Sequence, residues 1–482
     1  MNNEKNRLII CMLAALAAAA GFQACNGDNG DEQDTQEEQV LDVGDAGDQT
    51  GDPAGEIEED AEPDAGDVTD EEPEGPEVNG RLERVDGVDV LYVWGTRREM
   101  GYAEGALLCG RITKMLQNYI LDTAVPESGL TYDTLLAGIA VFHAFPEGDE
   151  EHMKGIMYGM QDHCAPEDLI VESEYLEASA GGRREAVYED IRVAHALPDY
   201  LCSSLTVWGE ASKSGKTLHA RNLDFYTDPF DEFISGQMIK VYDSDDDGGA
   251  RYMSVSIPGL VGCISCFGED GAGITIHNAD GYPDASEYGN VPRVLAARQA
   301  MVAMSGAADP AAAAEEAIEL LPQRMGDIFH LSFPCDGADC DGGAILELDG
   351  DSTQDDGMVT VRAPGEDGGD LATMDGVITT NHFLKRMDPS DIDPESSTAI
   401  RYGLVKEGVN FAVGFGGLDV EGAVEIMESV TQLKVDGATV HTVIMDTDAM
   451  ELHLYIAPDG DHVATDAAAV VFDFEDLFSG LP

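Results

Sequence analysis

From Gly80 onward apolar positions recur with two periods. "VDVLYVWG" alternates like a strand. Met100, Ala103, Leu107, Leu108, Ile112, Met115, Leu116 and Tyr119 then follow at helical spacing. Residues 130–200 read as mostly helical, with "EHMKGIMYGM" in the middle. At Cys202 the period shortens again. "TLHARNLDF", "QMIKVYD", "RYMSVSI", "LVGCISCF" and "GAGITIHNA" predict strands separated by turn residues. "VPRVLAARQAMVAM" and "DPAAAAEEAIELL" predict two helices, the second opened by Asp309 as N-cap and Pro310 at the first helical position. Strands return in "AILELDG", "MVTVRA" and "VITTNHF". Helices near 397–408 and 419–430 come next, and "HTVIMDTDAMELHLYIAP" closes the pattern as a hairpin. No repeat of 20–50 residues or heptad array is present. Strands in runs flanked by runs of helices predict an α+β fold rather than alternating βαβ units. Stretches apolar on both faces, such as "LTVW" and "VITT", predict sheets covered on both sides. A layered helix–sheet–sheet–helix body satisfies both.

The first 80 residues break this pattern. Lys5 and Arg7 precede the apolar run "LIICMLAALAAAA", too short to span a bilayer and suited to a signal peptide. "GFQAC" then resembles a bacterial lipobox, in which Cys25 is lipidated and becomes the mature N-terminus. Residues 26–80 carry 22 acidic side chains and no Lys or Arg, and have little to bury. That composition predicts an extended, self-repelling tether. The chain therefore divides into a signal and lipobox (1–25), the tether (26–80), and globular segments at 81–201 and 202–482. The expected location is the bacterial cell envelope, with the membrane reached only through the lipid anchor. The formal net charge is −69, of which about −48 falls on residues 81–482. Nucleic acid and anionic membrane surfaces are repelled by such a body, which excludes nucleic-acid binding and suggests a salt-rich habitat.

Outside Cys11 and Cys25 there are seven cysteines, an odd number that leaves one unpaired or paired between chains. Cys335 and Cys340 can close a short loop, and Cys263 and Cys266 form a C-x-x-C. If Cys109 pairs with Cys164, Cys202 is the free thiol. Spacing alone does not fix these pairs. The C-x-x-C lacks the helix start and flanks of a thioredoxin motif. "GEASKSGKT" is not a phosphate loop. Five residues separate Gly209 from Gly215 where four are needed, and a strand pattern follows instead of a helix. "DSDDDGG" at 243–249 begins like a calcium loop, but Ser254 occupies the twelfth position and flanking helices are absent, so it reads as an acidic turn. No cofactor or metal is called for.

Cys202 opens a hairpin whose return strand carries Arg221, Asn222 and Asp224 in an otherwise buried pattern. Buried charges are costly unless paired, so Arg221 and Asp224 are expected to pair with each other or with a group at the strand's beginning, where the hairpin brings Cys202 near them. At neutral pH a thiol of pKa about 8.5 needs a base. No His stands near Cys202 in a Cys–His pattern. An α-amine, with an unperturbed pKa of about 7.7–8.0, serves as a base if the Leu201–Cys202 bond is cut.

"CSSLTVWGEASKSGKTLHARNLDF" resembles the nucleophile hairpin of the N-terminal nucleophile hydrolases that act on linear amides, a group including isopenicillin-N acyltransferase, choloylglycine hydrolase and acid ceramidase. "GTRREMGYAEGALLCGRI" and "KGIMYGM" resemble the propeptide half of the acyltransferase branch. "LVGCISCFGEDGAGITIHNAD", "VITTNHFL" and "SSTAIRYG" resemble three later blocks in the same order. The resemblance spans roughly residues 90–480. It implies a four-layer αββα sandwich with a mostly helical propeptide-like segment at 81–201. It also implies self-cleavage between Leu201 and Cys202. Cys202 is then implied to attack the amide carbonyl with its own amine as base. Asp224 orients the ammonium form, and Arg221 favours the thiolate. Asn278 and Asn381 stabilise the oxyanion, and Arg401 anchors the rear of the site. The implied partner is a small-molecule acyl amide, cleaved or transferred through an acyl-thioester. Two rivals remain, a catalytically silent surface lipoprotein of the same fold and a lipid acyl hydrolase resembling phospholipase B-like proteins. The loops 226–237 and 280–291 are where acyl selectivity would reside. Oligomeric state is not legible in the sequence.

Overall fold

The structure is a computed structural model. It describes residues 76–482 except 177–181, 197–200, 227–231, 280–289, 322–326, 338–339, 349–358, 367–370, 388–391 and 435–436. The signal and lipobox with Cys25, and nearly all of the tether, lie outside the described residues, as do residues 227–231 of the first selectivity loop and 280–289 of the second. Among the described residues no helix is long and apolar enough to cross a membrane.

The chain enters as a hairpin of β1 (Gly80–Val85) and β2 (Val88–Gly95). Helix α1 (Arg97–Met115) starts where Thr96 and Glu99 close a capping box, each satisfying the other's backbone N–H. It runs on into a π-helical stretch, Leu116–Ala124. Helices α2 (Tyr132–Phe142) and α3 (Glu147–His163) follow, then the small pair β3 (Ile170–Glu172) and β4 (Arg183–Glu185), then α4 (Tyr188–Ala196). Helices α1 and α3 touch backbone to backbone. Gly101 and Gly105 face Gly155 and Gly159, and a Cβ at any of the four would lie 2.0–2.2 Å from a carbonyl oxygen of the opposite helix. Cys109 of α1 is disulfide-bonded to Cys164, which ends α3.

The nucleophile hairpin is β5 (Leu201–Val207) and β6 (Leu218–Tyr226). Next come β7 (Met238–Ser244), β8 (Arg251–Ser256), β9 (Ser265–Gly268) and β10 (Gly273–His277). Helices α5 (Arg293–Met304) and α6 (Pro310–Glu319) follow, and the Asp309 side chain caps α6. After them stand β11 (Asp327–Ser332), β12 (Gly343–Leu348), β13 (Val359–Arg362) and β14 (Gly376–Thr379). The chain ends with α7 (Ser397–Gly414), α8 (Val420–Ser429), β15 (Leu433–Lys434), β16 (Gly437–Asp446), β17 (Glu451–Ile456), β18 (Val470–Asp473) and α9 (Phe474–Ser479).

Among the described residues nine strands form one sheet in the order β1-β2-β7-β8-β9-β10-β11-β12-β13. A second sheet runs β14-β5-β6-β16-β17-β18, with β15 paired to β16. The β2–β7 contact is parallel, from Asp89↔Met238 to Gly95↔Ser244, whereas the other pairings are antiparallel. Through it residues 80–95 extend the sheet built by the later segment. Val90, Ile239, Val241, Met253 and Val255 of the large sheet share one core with Val443, Met445, Leu452 and Leu454 of the other. Leu205, Val207 and Ala220 on the opposite face of the second sheet pack with Val405 and Val409 of α7 and Met427 of α8. Met100, Leu108, Ile156 and Met160 of α1 and α3 share a further core with Leu91, Tyr242 and Ile274 of the large sheet.

Several buried charges of the described residues are paired with opposite charges, which offsets their desolvation. Lys240 of β7 meets Glu104 of α1 at 2.5 Å with both fully buried. Asp149 of α3 accepts from Arg97 at 3.1 Å and from Arg298 of α5 at 2.7 Å. Three of the four carboxylates in the acidic turn at 243–249 are held within the protein. Asp243 pairs with Arg251 at 2.6 Å, Asp246 accepts the Arg97 backbone N–H at 2.7 Å, and Asp247 pairs with Arg97 at 2.5 Å. Among the described residues no group of three or more His, Cys, Asp or Glu side chains is disposed to hold a metal ion.

Candidate active site

Strand alternation places the residues around Cys202 on two faces. Ser204 and Thr206 point toward the large sheet, where Ser204 Oγ lies 2.9 Å from His277 Nε2 and Thr206 Oγ1 lies 2.7 Å from His330 Nε2. Cys202 has the same parity, with its thiol fully buried. Ser203 and Asp224 have the opposite parity and meet α7. The pairing of Ser204 with Arg221 and of Leu201 with Asp224 brings both charged residues of the return strand beside the thiol's strand.

The other six sulfurs of the globular segments are paired as Cys109–Cys164, Cys263–Cys266 and Cys335–Cys340, leaving Cys202 as the free thiol among the described residues. Arg221 Nη2 donates to Cys202 Sγ at 3.0 Å. Burial pushes the thiol up to about 11, while the Arg221 charge pulls the other way. In the uncut chain the thiol is therefore protonated at neutral pH.

The backbone of Cys202 is held as firmly as its side chain. Its N–H donates to Asn381 Oδ1 at 2.9 Å. Its carbonyl accepts from Arg401 Nη1 at 2.6 Å. Arg401, near the start of α7, also donates to Ser203 Oγ at 2.7 Å, to Asn381 Oδ1 at 2.8 Å and to Ser397 Oγ at 3.2 Å. Asp224 Oδ2 lies 3.9 Å from Arg401 Nη1, with both side chains nearly inaccessible. Thr439 Oγ1 donates to Asp224 Oδ1 at 2.5 Å, whereas Oδ2 is buried without a hydrogen bond. Burial raises the Asp224 carboxyl above its ordinary range, and Arg401 and the Thr439 hydrogen bond oppose that.

Cys202, Arg221, Asp224, Asn381 and Arg401 thus form one connected group. Asn278 joins it through its backbone, because Asn381 Nδ2 donates to the Asn278 carbonyl at 2.6 Å. In this state Asn381 acts on Cys202 through its oxygen, and its Nδ2 is turned toward Asn278. Sequence reasoning missed Ser203, Ser265, Thr439, Gln237 and His441. Polar residues within apolar strand patterns were the available signal. "HTVIMD" carries His441 into a strand that is otherwise apolar on its inner face.

No family model matches the chain. Among curated proteins it is similar to two from Dictyostelium discoideum. It is 22% identical to Protein dcd1A over 215 residues, covering 42% of this chain and 47% of that one. It is 21% identical to Protein dcd1B over 201 residues, covering 40% and 39%. The chain therefore spans less than half the length of these relatives. Among solved structures it is similar to a Caenorhabditis elegans ortholog of N-acylethanolamine-hydrolyzing acid amidase, with 12% identity, a TM-score of 0.35 and coverage of 56% of this chain and 100% of that one. It is also similar to a mutant of conjugated bile acid hydrolase from Clostridium perfringens, with 11% identity, a TM-score of 0.36 and coverage of 57% and 93%.

Proposed function

We propose that this protein is a self-processing cysteine hydrolase of the N-terminal nucleophile type, with a four-layer αββα body and a mostly helical segment before the nucleophile. In this reading it cleaves or transfers an acyl group at a linear amide through an acyl-thioester on Cys202. The observation that carries the proposal is the environment of the Cys202 nitrogen. That nitrogen lies 2.9 Å from Asn381 Oδ1, and Leu201, its neighbour in the chain, pairs with Asp224, whose Oδ2 is buried without a hydrogen bond, its nearest charge being Arg401 Nη1 at 3.9 Å. A peptide N–H has one hydrogen to give, and Asn381 takes it. A freed α-ammonium has three, and Asp224 Oδ2 is an acceptor for another.

The steps follow from these groups. In the intact chain the Cys202 thiol adds to the Leu201 carbonyl carbon, its proton passes to the peptide nitrogen, and the C–N bond breaks so that this nitrogen leaves as the amine of Cys202. Water then hydrolyses the resulting thioester, giving a carboxylate on Leu201 and a free thiol. The amine now accepts the thiol proton as the sulfur attacks the substrate carbonyl. Arg221, 3.0 Å from the sulfur, favours the thiolate. The tetrahedral oxyanion collapses, the leaving amine takes the proton, and the acyl group stays on sulfur until water or an acceptor amine removes it. Asn278 and Asn381 are the proposed oxyanion donors, which requires Asn381 Nδ2 to exchange the Asn278 carbonyl for substrate. Arg401 holds the Cys202 carbonyl and Ser203 in place.

The test is Cys202→Ala. It should leave the chain uncut at 201–202 and inactive toward a panel of N-acyl amides. Wild-type hydrolysis by Cys202→Ala would overturn the proposal, and a wild-type protein inert to the whole panel would favour a binding role. The proposal extends to a cell-envelope lipoprotein anchored through Cys25, checked by metabolic labelling with a fatty acid and its loss in Cys25→Ala.

A further inference from the structure

We infer that His441, fixed by Gln237, is a positioning residue that aims the Arg221 guanidinium at the nucleophilic sulfur. The inference rests on the reading of Cys202 as the nucleophile.

Gln237 Nε2 donates to the Phe233 carbonyl at 3.0 Å. A carbonyl only accepts, so the amide's oxygen is the end that faces His441, and it lies 2.6 Å from His441 Nδ1. Nδ1 must therefore carry the hydrogen, and in the neutral ring Nε2 is left with a lone pair. That lone pair faces Arg221 Nη1 at 2.8 Å and Ser265 Oγ at 3.1 Å. Arg221 Nη1 also donates to Ser265 Oγ at 2.7 Å. Gln237, Ser265, Arg221 and His441 are all buried.

The guanidinium is a rigid planar fork, so holding one terminal nitrogen directs the other. With Nη1 held by His441 and Ser265, Nη2 falls 3.0 Å from Cys202 Sγ and 3.3 Å from the Ile276 carbonyl. Arg221 Nε has no hydrogen bond of its own. The Nη1 contacts thus bear most of the burden of orientation. Protonated His441 would instead aim an N–H at the guanidinium. A residue that touches neither sulfur nor substrate in this way sets where the thiolate's counter-charge sits.

Three readouts on purified full-length protein test this. They are the rate of Cys202 carbamidomethylation by iodoacetamide, kcat and KM on a fluorogenic N-acyl aminocoumarin, and thermal unfolding. His441→Phe keeps the ring but removes the acceptor. It should slow alkylation and lower kcat by at least about tenfold, with KM changed less than about threefold, a range suited to a misaimed electrostatic contact. His441→Gln can place an amide oxygen near the Nε2 position and should stay within about threefold of wild type. Gln237→Leu unlocks the tautomer and should shift alkylation and kcat in the same direction as His441→Phe, providing a second variant if the first does not fold. Wild-type alkylation and kcat in both His441→Phe and Gln237→Leu would overturn the inference, as would equal losses in His441→Phe and His441→Gln at matched thermal stability. Cys202→Ala run alongside separates the two ideas. If it retains hydrolysis the nucleophile assignment has failed, and if it is inactive while His441→Phe and Gln237→Leu are both fully active only the role of His441 has failed.

Discussion

At the scale of single residues, the proposed catalysis turns on which acceptors surround the Cys202 nitrogen. Asp224→Asn removes the carboxylate charge while keeping the shape, and should lower hydrolysis by at least about 10²-fold, the contribution of a positioned group serving a general base. Single-turnover kinetics on purified protein check this, and near-normal rates would remove Asp224 from the mechanism. The buried histidines give a pH prediction. Burial holds His219 down to about 3 and pushes His277, His330 and His441 well below the ordinary imidazole range. Each stays neutral in the folded chain and protonates more readily once unfolded. Their stabilisation is complete above about pH 6.5 and is lost as pH falls toward the folded values. Urea midpoints should therefore drop between pH 7 and pH 5, before most carboxylates titrate, and a flat profile would contradict this. The placing of Arg221 and Asp224 beside the start of the Cys202 strand was legible in the sequence, because charges in a buried strand pattern demand partners. His441 and Thr439 were not, because their partners lie more than 200 residues away and only the fold brings them together.

Among the elements, the contact of α1 with α3 admits the sharpest prediction. At Gly155 an added Cβ would stand 2.2 Å from the Arg98 carbonyl oxygen, a backbone atom that cannot rotate aside. Gly155→Ala should force the helices apart and destabilise the fold by about 1–3 kcal/mol, the usual range for overpacking. Chemical denaturation measures this, and an unchanged midpoint would show that the helices separate freely. Much at this scale could be read from sequence. Asp309 and Pro310 announced the start of α6, and the β5–β6 hairpin followed from its alternation and turn residues. The parallel pairing of β2 with β7 was not legible, since alternation reports which face is buried but not which strand lies alongside. The π-helical stretch after α1 was equally hidden, because its apolar residues keep nearly helical spacing.

For the whole molecule, charge and connectivity carry the predictions. A body of about −48 repels itself, and raising ionic strength to about 1 M shortens the screening length to about 3 Å. The unfolding temperature should rise with sodium chloride over that range, and a fall would show that the salt-sensitive ion pairs outweigh the repulsion. Residues 81–201 and the later segment share a sheet through β2 and β7 and bury joint ion pairs at Lys240–Glu104 and Arg298–Asp149. Chain scission should therefore release nothing, and the two fragments should co-elute in size-exclusion chromatography until denaturant is added. Mass spectrometry of protein purified active and then denatured tests self-processing most directly. Self-processing predicts a fragment whose first residue is Cys202, bearing a free α-amine, and a companion ending at Leu201. Full activity in a polypeptide continuous through that bond would contradict it.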